Sequence, residues 1–515
     1  MKSTYPLLTG RYAPLLAGIA TLLGALILGF RGFTEHSLQW FERGSSSTGE
    51  LLLDGFYPGA FHEVLLSFLG GLLPWSPGWT IVGLSFFSLA LTGMVIYQLG
   101  ARLSEALTGW LAVFFLLTSA PLMGAATAGD PTLLPLPFMG AILLIWFQDT
   151  LSPLLRGALL SALGGLSFLF SPLAALLFGL LFLIQLVLFR SVSLDRLLAP
   201  LGAYLLVGLT PFFLLFEPQT YLQYVLKPFT LPPEILLFRN TVYPPARPPF
   251  YFGVLWFLEQ IPIITAMAMS LGVILGYSTA PKRSQVFAGT LSVWALLLSL
   301  LPSLLRTSRP LDLHFESHLI VLLAPLAALV TQRFFVATLG PSAPTVRLRR
   351  FAILGVIVMS ASILVEARAS LAMAEFQRSP LTARLTGWTI NGDPPARQKH
   401  LPRYLLSITL NEKGATLFSP PFESYLAAYV DMGILTVEQV VSEPKEAWRA
   451  IRPAPTIAVR RYGVISEEHA PRQVFGETQV FPYRHQPAFF LDFDYRERAP
   501  LDQLEEAGLK GPLSP

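Results

Sequence analysis

Again and again along its 515 residues the chain runs for roughly 17–23 positions with hardly a charge, the length a helix needs to cross a hydrocarbon core. The runs are rich in Leu, Phe and Ala without alternation, which favours helices over the alternating strands of a barrel. Candidate spans fall near 12–30, 79–99, 106–123, 132–148, 155–170, 173–189, 197–215, 253–276, 286–303, 317–335 and 351–372, about eleven in all. The composition agrees. It is 53% hydrophobic and 13% charged, where a soluble domain carries about 25% charged residues. The expected fold class is an α-helical polytopic membrane protein followed by a small extracytoplasmic α/β domain. The boundaries are a transmembrane region over 1–373, with outer loops 31–78 and 216–252, and a soluble domain over 374–515.

Orientation follows from the Lys/Arg bias of short loops. With the N-terminus in the cytoplasm, Lys2, Arg11, Arg102, Arg156, Lys282, Arg283, Arg333 and the run Arg347–Arg350 fall inside. The carboxylates lean the other way: Glu35, Glu42, Glu63, Asp130, Glu217 and Glu234 all fall outside. An odd number of spans places the tail outside as well. Lys2 and Arg11 precede the first span without a small-residue cleavage site, so that span reads as an uncleaved helix. The expected location is the inner, or cell, membrane with a periplasmic or extracellular tail. With no cysteine, disulfides, thiol catalysis and cysteine metal sites are excluded. The last 141 residues hold 16 Lys/Arg against 17 Asp/Glu; a charge-balanced tail is no nucleic-acid arm.

Polar residues at the outer face carry whatever chemistry the chain performs. In "GFTEHSLQWFERG" (32–44), helical spacing puts Glu35, Gln39 and Glu42 on one face and Phe33, Trp40 and Phe41 on the other. That suits either a solvated interfacial helix or an acidic wall of a cleft. Asp130, in "AATAGDPTLL", closes the third span. It is a good N-cap for the span that follows, and a carboxylate at that depth also marks function. Three prolines in "DPTLLPLP" predict an irregular start to the fourth span, tolerated only beside protein or a wet cavity.

The loop 216–252 is rich in proline and aromatics and carries Lys227, Arg239 and Arg247. These suit a phosphate or lipid headgroups. In "HFESH" (314–318) the two histidines share a helical face while Glu316 points about 200° away, a poor metal set. The chain has no Walker loop, no GxGxxG opening a helix and no GxSxG. In the tail, "GATLFSP" (414–420) and "TIAVRRYGVI" (456–465) predict strands, "FESYLAAYVDMG" predicts a helix, and the residues after Pro487 read as charged and extended.

The order of these parts resembles the GT-C membrane glycosyltransferases, in particular the dolichyl- or polyprenyl-phosphate-mannose transferase-like group that includes protein mannosyltransferases and aminoarabinose transferases. "FTEHSLQWFERG" stands where that family has an Asp-Glu pair after span one. "YPGAFHEVLLSFLGGLLPWSPGW" looks like its interfacial helix before span two. "FRNTVYPPARPPFYF" is similar to its Arg-bearing loop, and "FESHLIVLLAPLAALV" to a later span. This chain departs at Thr34, where the family has the first acid of the pair, at Tyr57-Pro58-Gly59 for Lys-Pro-Pro, and at Ser171-Pro172 for Lys-Gly-Pro. The resemblance implies transfer of a sugar from a polyprenyl-phosphate donor to a protein, lipid or glycan acceptor at the outer face. Glu35 and Asp130 would be catalytic, and Glu42, His62, Lys227, Arg239 and Arg247 substrate-binding; the family leaves a divalent cation open. Two other readings stand beside it. One is a silent GT-C-like assembly subunit of a membrane complex, which Thr34 favours. The other is a transporter of lipid-linked sugars, which the large tail disfavours.

Overall fold

The computed structural model describes residues 10–30, 32, 33, 37, 61–148, 150–170, 184, 236–238, 241–243, 249–259, 261–304, 315–339, 353, 354, 356–365, 416–418, 428–434, 440, 441, 460–466, 478–483 and 486–494. The helices are α1 Ala13–Leu28, α2 Phe61–Leu72, α3 Pro77–Leu103, α4 Ala106–Leu117, α5 Ala120–Thr127, α6 Leu136–Trp146, α7 Pro153–Phe170, α8 Phe252–Glu259, α9 Ile263–Thr279, α10 Gln285–Leu304 and α11 Phe315–Leu339, with a further apolar stretch Val356–Val365.

Helix α1 shows why this packing belongs in a membrane. Its buried face is Ala13, Ala17, Gly18, Thr21 and Ala25, while Leu15, Ile19, Leu23, Leu26 and Ile27 point outward. Small residues inside and large apolar ones outside is the reverse of a water-soluble helix. It is the arrangement expected where lipid solvates the large side chains and small ones let backbones approach. Helix α9 repeats it, burying Thr265, Ala266, Met269, Gly272 and Gly276 and exposing Met267, Leu271, Ile274 and Leu275. Gly272 lies so close to α11 that a Cβ would come 2.8 Å from the carbonyl carbon of Leu326 and 2.9 Å from the amide of Ala327.

Two described helices, Pro77–Leu103 and Ser317–Thr338, are long and apolar enough to cross a membrane by themselves, and pairing bent helices raises this to four. Helices α3 and α11 form the centre. α3 packs on α1, α4 and α6, and α11 on α4, α9 and α10. Two expected spans are corrected: 106–123 breaks after Leu117 into α4 and α5, with Pro121 in the first turn of α5, and 253–276 is not continuous, because Pro262 divides it into α8 and α9. A proline supplies no amide for the ladder and clashes with the preceding turn.

The basic side chains gather at one end of the bundle, where they satisfy helix C-terminal carbonyls. Arg102 donates to the Leu144 carbonyl at 3.1 Å, Arg333 to Thr279 at 3.0 Å, Arg283 to Ser104 at 3.3 Å and Arg156 to Gln148 at 3.4 Å. These carbonyls have no partner within their own helices and carry the negative end of the dipole. Gln332 donates to Glu105 at the same end. α3, about 40 Å long for its 27 residues, separates this cluster from its own first turn.

Two strands lie within the loop 216–252, Leu236–Phe238 (β1) and Thr241–Tyr243 (β2), paired antiparallel with Phe238 opposite Thr241. In the tail, β3 Thr416–Phe418, β4 Val440–Val441, β5 Arg460–Ser466, β6 Thr478–Tyr483 and β7 Gln486–Asp494 form a mixed sheet in the order β4-β3-β5-β7-β6. β3 runs parallel to both β4 and β5, and β7 antiparallel to β5 and β6. Of the residues after Pro487, expected to be extended, Ala488–Asp494 belong to β7, paired with β5 and, up to Leu491, with β6, and 495–515 lie outside the described residues. Residues 428–431 are helical.

Candidate active site

The end of α3 opposite the arginine cluster begins with Ser76, whose hydroxyl accepts the Trp79 amide at 3.5 Å, and Pro77 in the first helical turn. Proline there needs no amide and its φ suits the helix. Beside this end the chain "AGDP" stops one helix and starts another. α5 ends in a left-handed glycine, Gly129 at φ 65°. The Gly129 amide donates to Ala126 at 3.1 Å and the Asp130 amide to Ala125 at 3.0 Å, the paired closing bonds of a Schellman end. Asp130 then turns outward in φ/ψ, and its Oδ1 accepts the Thr132 amide at 3.0 Å, capping the 3₁₀ turn Pro131–Leu133. The expected N-cap is therefore present, on a short irregular turn that precedes α6.

Asp130 is 1% exposed. Two serines of α3 bolt its turn in place: Ser85 Oγ donates to the Asp130 carbonyl at 3.3 Å and Ser88 Oγ to the Leu133 carbonyl at 2.6 Å. Irregular backbone at this depth leaves carbonyls unpaired by a helix, and the hydroxyls satisfy them.

Phe33 reaches this turn from the end of α1. A Cβ on Gly129 would lie 3.3 Å from Phe33 Cε1 and 2.9 Å from Ile81 Cγ2. Phe33 is fully buried and its backbone is not helical, so its place on the apolar face of a helix is corrected; Ser37 is helical, and the rest of 34–44, with Glu35 and Glu42, lies outside the described residues. The ring is held by aromatics instead: Phe30 edge-on at 4.9 Å and Tyr429 stacked at 5.6 Å and 10°. The Phe33 amide donates to the Tyr429 hydroxyl at 2.9 Å. Trp79 packs on Phe30 at 5.8 Å, and its indole N–H donates to the Met432 carbonyl at 3.2 Å. The Met432 side chain lies over Gly78. A helical turn of the tail thus docks where α1 ends and α3 begins.

Of the residues expected to act, Asp130 is in this cluster. Glu35, Glu42, Lys227, Arg239 and Arg247 lie outside the described residues. His62 is the second residue of α2, and its side chain also lies outside them. Among the described residues, no group of three or more histidines and carboxylates is gathered that could hold a metal ion.

Solved structures share this architecture. ArnT from Cupriavidus metallidurans in the apo state, an aminoarabinose transferase, matches 95% of this chain and 99% of its own at 13% identity and a TM-score of 0.50. The oligosaccharyltransferase AglB from Archaeoglobus fulgidus, in complex with an inhibitory peptide and a dolichol-phosphate, matches 96% of this chain and 75% of its own at 11% identity, also with a TM-score of 0.50. ArnT bound to undecaprenyl phosphate matches 93% and 97% at 12% identity, with a TM-score of 0.48. The chain has the GT-C fold. No protein-family model matches the sequence, and no curated protein sequence does. Within this GT-C fold the residues that sequence reasoning passed over are Ser85, Ser88, Trp79, Tyr429 and Met432. The one signal available for them was the aromatic pair Trp75 and Trp79 at the start of a span, the mark of a membrane–water boundary.

Proposed function

We propose that the chain is a membrane glycosyltransferase that moves a sugar from a polyprenyl-phosphate donor to an acceptor at the outer face of the membrane. One observation carries the reading: in a GT-C fold, the stretch leading into Thr34-Glu35 is packed through Phe33 against the turn of a buried carboxylate, Asp130. Glu35 is two residues from Phe33, and two residues of chain span at most about 7 Å, which supports reading the two acidic positions as parts of one site. AglB in its complex holds a dolichol-phosphate, a lipid of the class proposed here as carrier.

The chemistry assigns the roles. An acceptor hydroxyl oxygen attacks the anomeric carbon as the bond from that carbon to the phosphate oxygen breaks. The electron pair leaves with the polyprenyl phosphate, and the configuration inverts. The hydroxyl proton passes to Glu35, with Asp130 positioning the acceptor. Arg239, with Arg247 or Lys227, neutralises the departing phosphate, and Glu42 and His62 line the acceptor side. About eleven spans, a cytoplasmic N-terminus, an inner-membrane location and a periplasmic α/β domain from about residue 374 complete the proposal.

The test uses purified protein with native membranes as acceptor and undecaprenyl phosphates carrying labelled mannose, glucose, arabinose or aminoarabinose. Transfer of one label, lost in Glu35→Ala, is the expected result. Transfer of none, with the protein folded, overturns the reading. That outcome would favour the second reading, a silent assembly subunit, to which Thr34 at the family's acidic position points.

A further inference from the structure

Among the described residues, the tail meets the bundle at the approach to Asp130. Tyr429 is fully buried, although it lies in the tail and its partners lie at the membrane end of α1. Its ring stacks on Phe33 at 5.6 Å and sits 6.3 Å from Phe30, and its hydroxyl accepts the Phe33 amide at 2.9 Å. A Cβ on Gly129, the residue before Asp130, would lie 3.3 Å from Phe33 Cε1. A second bond from Trp79 to the Met432 carbonyl fixes the same helical turn to the start of α3.

We propose that Tyr429 is a positioning residue for sugar transfer, clamping Phe33 against the Asp130 turn and so setting where the following residues, Thr34-Glu35, emerge. The inference rests on the glycosyltransferase reading. It adds that the tail is a working part of the transfer site. The Phe33 amide donates to a phenolic oxygen that the tail supplies. Breaking that buried bond is unfavourable, so docking of the tail helps hold the path of the stretch after α1. Small displacements of an oriented group slow a reaction steeply, and docking of the tail thereby controls the rate rather than donor affinity.

Two readouts on Tyr429→Phe in the full-length protein decide it. Hydrogen exchange at the Phe33 amide reports the clamp directly and is independent of any substrate; it is expected to quicken about 3- to 10-fold, as the loss of one hydrogen bond dictates. Turnover, with whichever labelled undecaprenyl-phosphate sugar the unaltered protein transfers, is expected to fall about tenfold in kcat with the donor KM unchanged. Unchanged exchange overturns the clamp. Faster exchange with unchanged kcat overturns the positioning role. A protein that transfers none of the sugars overturns the glycosyltransferase reading and the positioning role with it, while the exchange result stands on its own. Should Tyr429→Phe fail to fold, Trp79→Phe, which removes the bond to Met432 and part of the packing on Phe30 and so loosens the same helical turn, is read by the same two measurements and the same outcomes.

Discussion

The backbone amide of Phe33 donates a 2.9 Å hydrogen bond to the hydroxyl of Tyr429, 396 positions further along the chain. It ties the exit of the first helix to the tail, beside the turn that carries Asp130.

Asp130 serves as both cap and candidate catalytic group, and two substitutions separate the roles. Asp130→Asn keeps an oxygen for the Thr132 amide, so thermal stability in detergent should hold while transfer falls by a factor of about 10² or more. Asp130→Ala should lose transfer and in addition about 1 kcal/mol of stability with the cap. Full activity in Asp130→Asn would sink the catalytic assignment.

Ser88 acts on the site through the backbone. Its hydroxyl donates to the Leu133 carbonyl at 2.6 Å, and Ser88→Ala leaves that buried carbonyl short of a partner, at about 1–3 kcal/mol. The melting temperature should drop, with a smaller loss of kcat than Asp130→Asn produces. Wild-type stability in this variant would contradict the account.

Gly272 tests the close approach of α9 to α11. A methyl group there meets backbone atoms of Leu326 and Ala327 at 2.8 and 2.9 Å, which cannot swing aside. Gly272→Ala should destabilise by about 1–3 kcal/mol. Gly70→Ala in α2, where nothing lies within 4 Å of the new methyl, is the control and should be neutral or slightly stabilising, because Ala outranks Gly in a helix.

Arg102 joins three elements at the other end of the bundle. Its guanidinium caps the Leu144 carbonyl and lies 5.9 Å from the centre of the Phe287 ring. Arg102→Ala should lower the melting temperature by an amount corresponding to about 1–3 kcal/mol. Arg102→Lys should recover only part, since an ammonium lacks the planar fork. Equal stability of the two variants would show that charge alone matters there.

Topology can be read cleanly because the chain contains no cysteine. In intact cells a membrane-impermeant maleimide should label Gly71→Cys, at the exposed end of α2, and not Lys282→Cys, which is exposed among the arginines at the other end. Labelling becomes equal once the cells are opened. The reverse pattern would put residue 35 in the cytoplasm and end the outer-face site.

Local chemistry was legible. The apolar runs named α1, α3, α10 and α11 to within a few residues, because lipid demands an uninterrupted hydrogen-bonded helix wherever such a run crosses. "AGDP" announced a helix stop and a cap, because glycine and aspartate act on amides two to four positions away. "GATLFSP" and "TIAVRRYGVI" announced β3 and β5. The resemblance to GT-C enzymes, carried by a few polar residues at fixed order among apolar runs, pointed to the fold that ArnT and AglB share.

The sequence alone thus settled that this chain spans a membrane with helices and where many of them begin and end, since those are questions of periodicity and capping within a few residues. It left open which faces meet, that 253–276 is two helices, and that Phe33 is packed rather than helical. It also left open that Tyr429 closes over the approach to Asp130. These depend on contacts between residues up to 396 positions apart, whose partners no local pattern encodes. An aromatic side chain is equally at home against lipid, against a neighbouring helix or beneath a tail domain, and only the packed chain chooses among them.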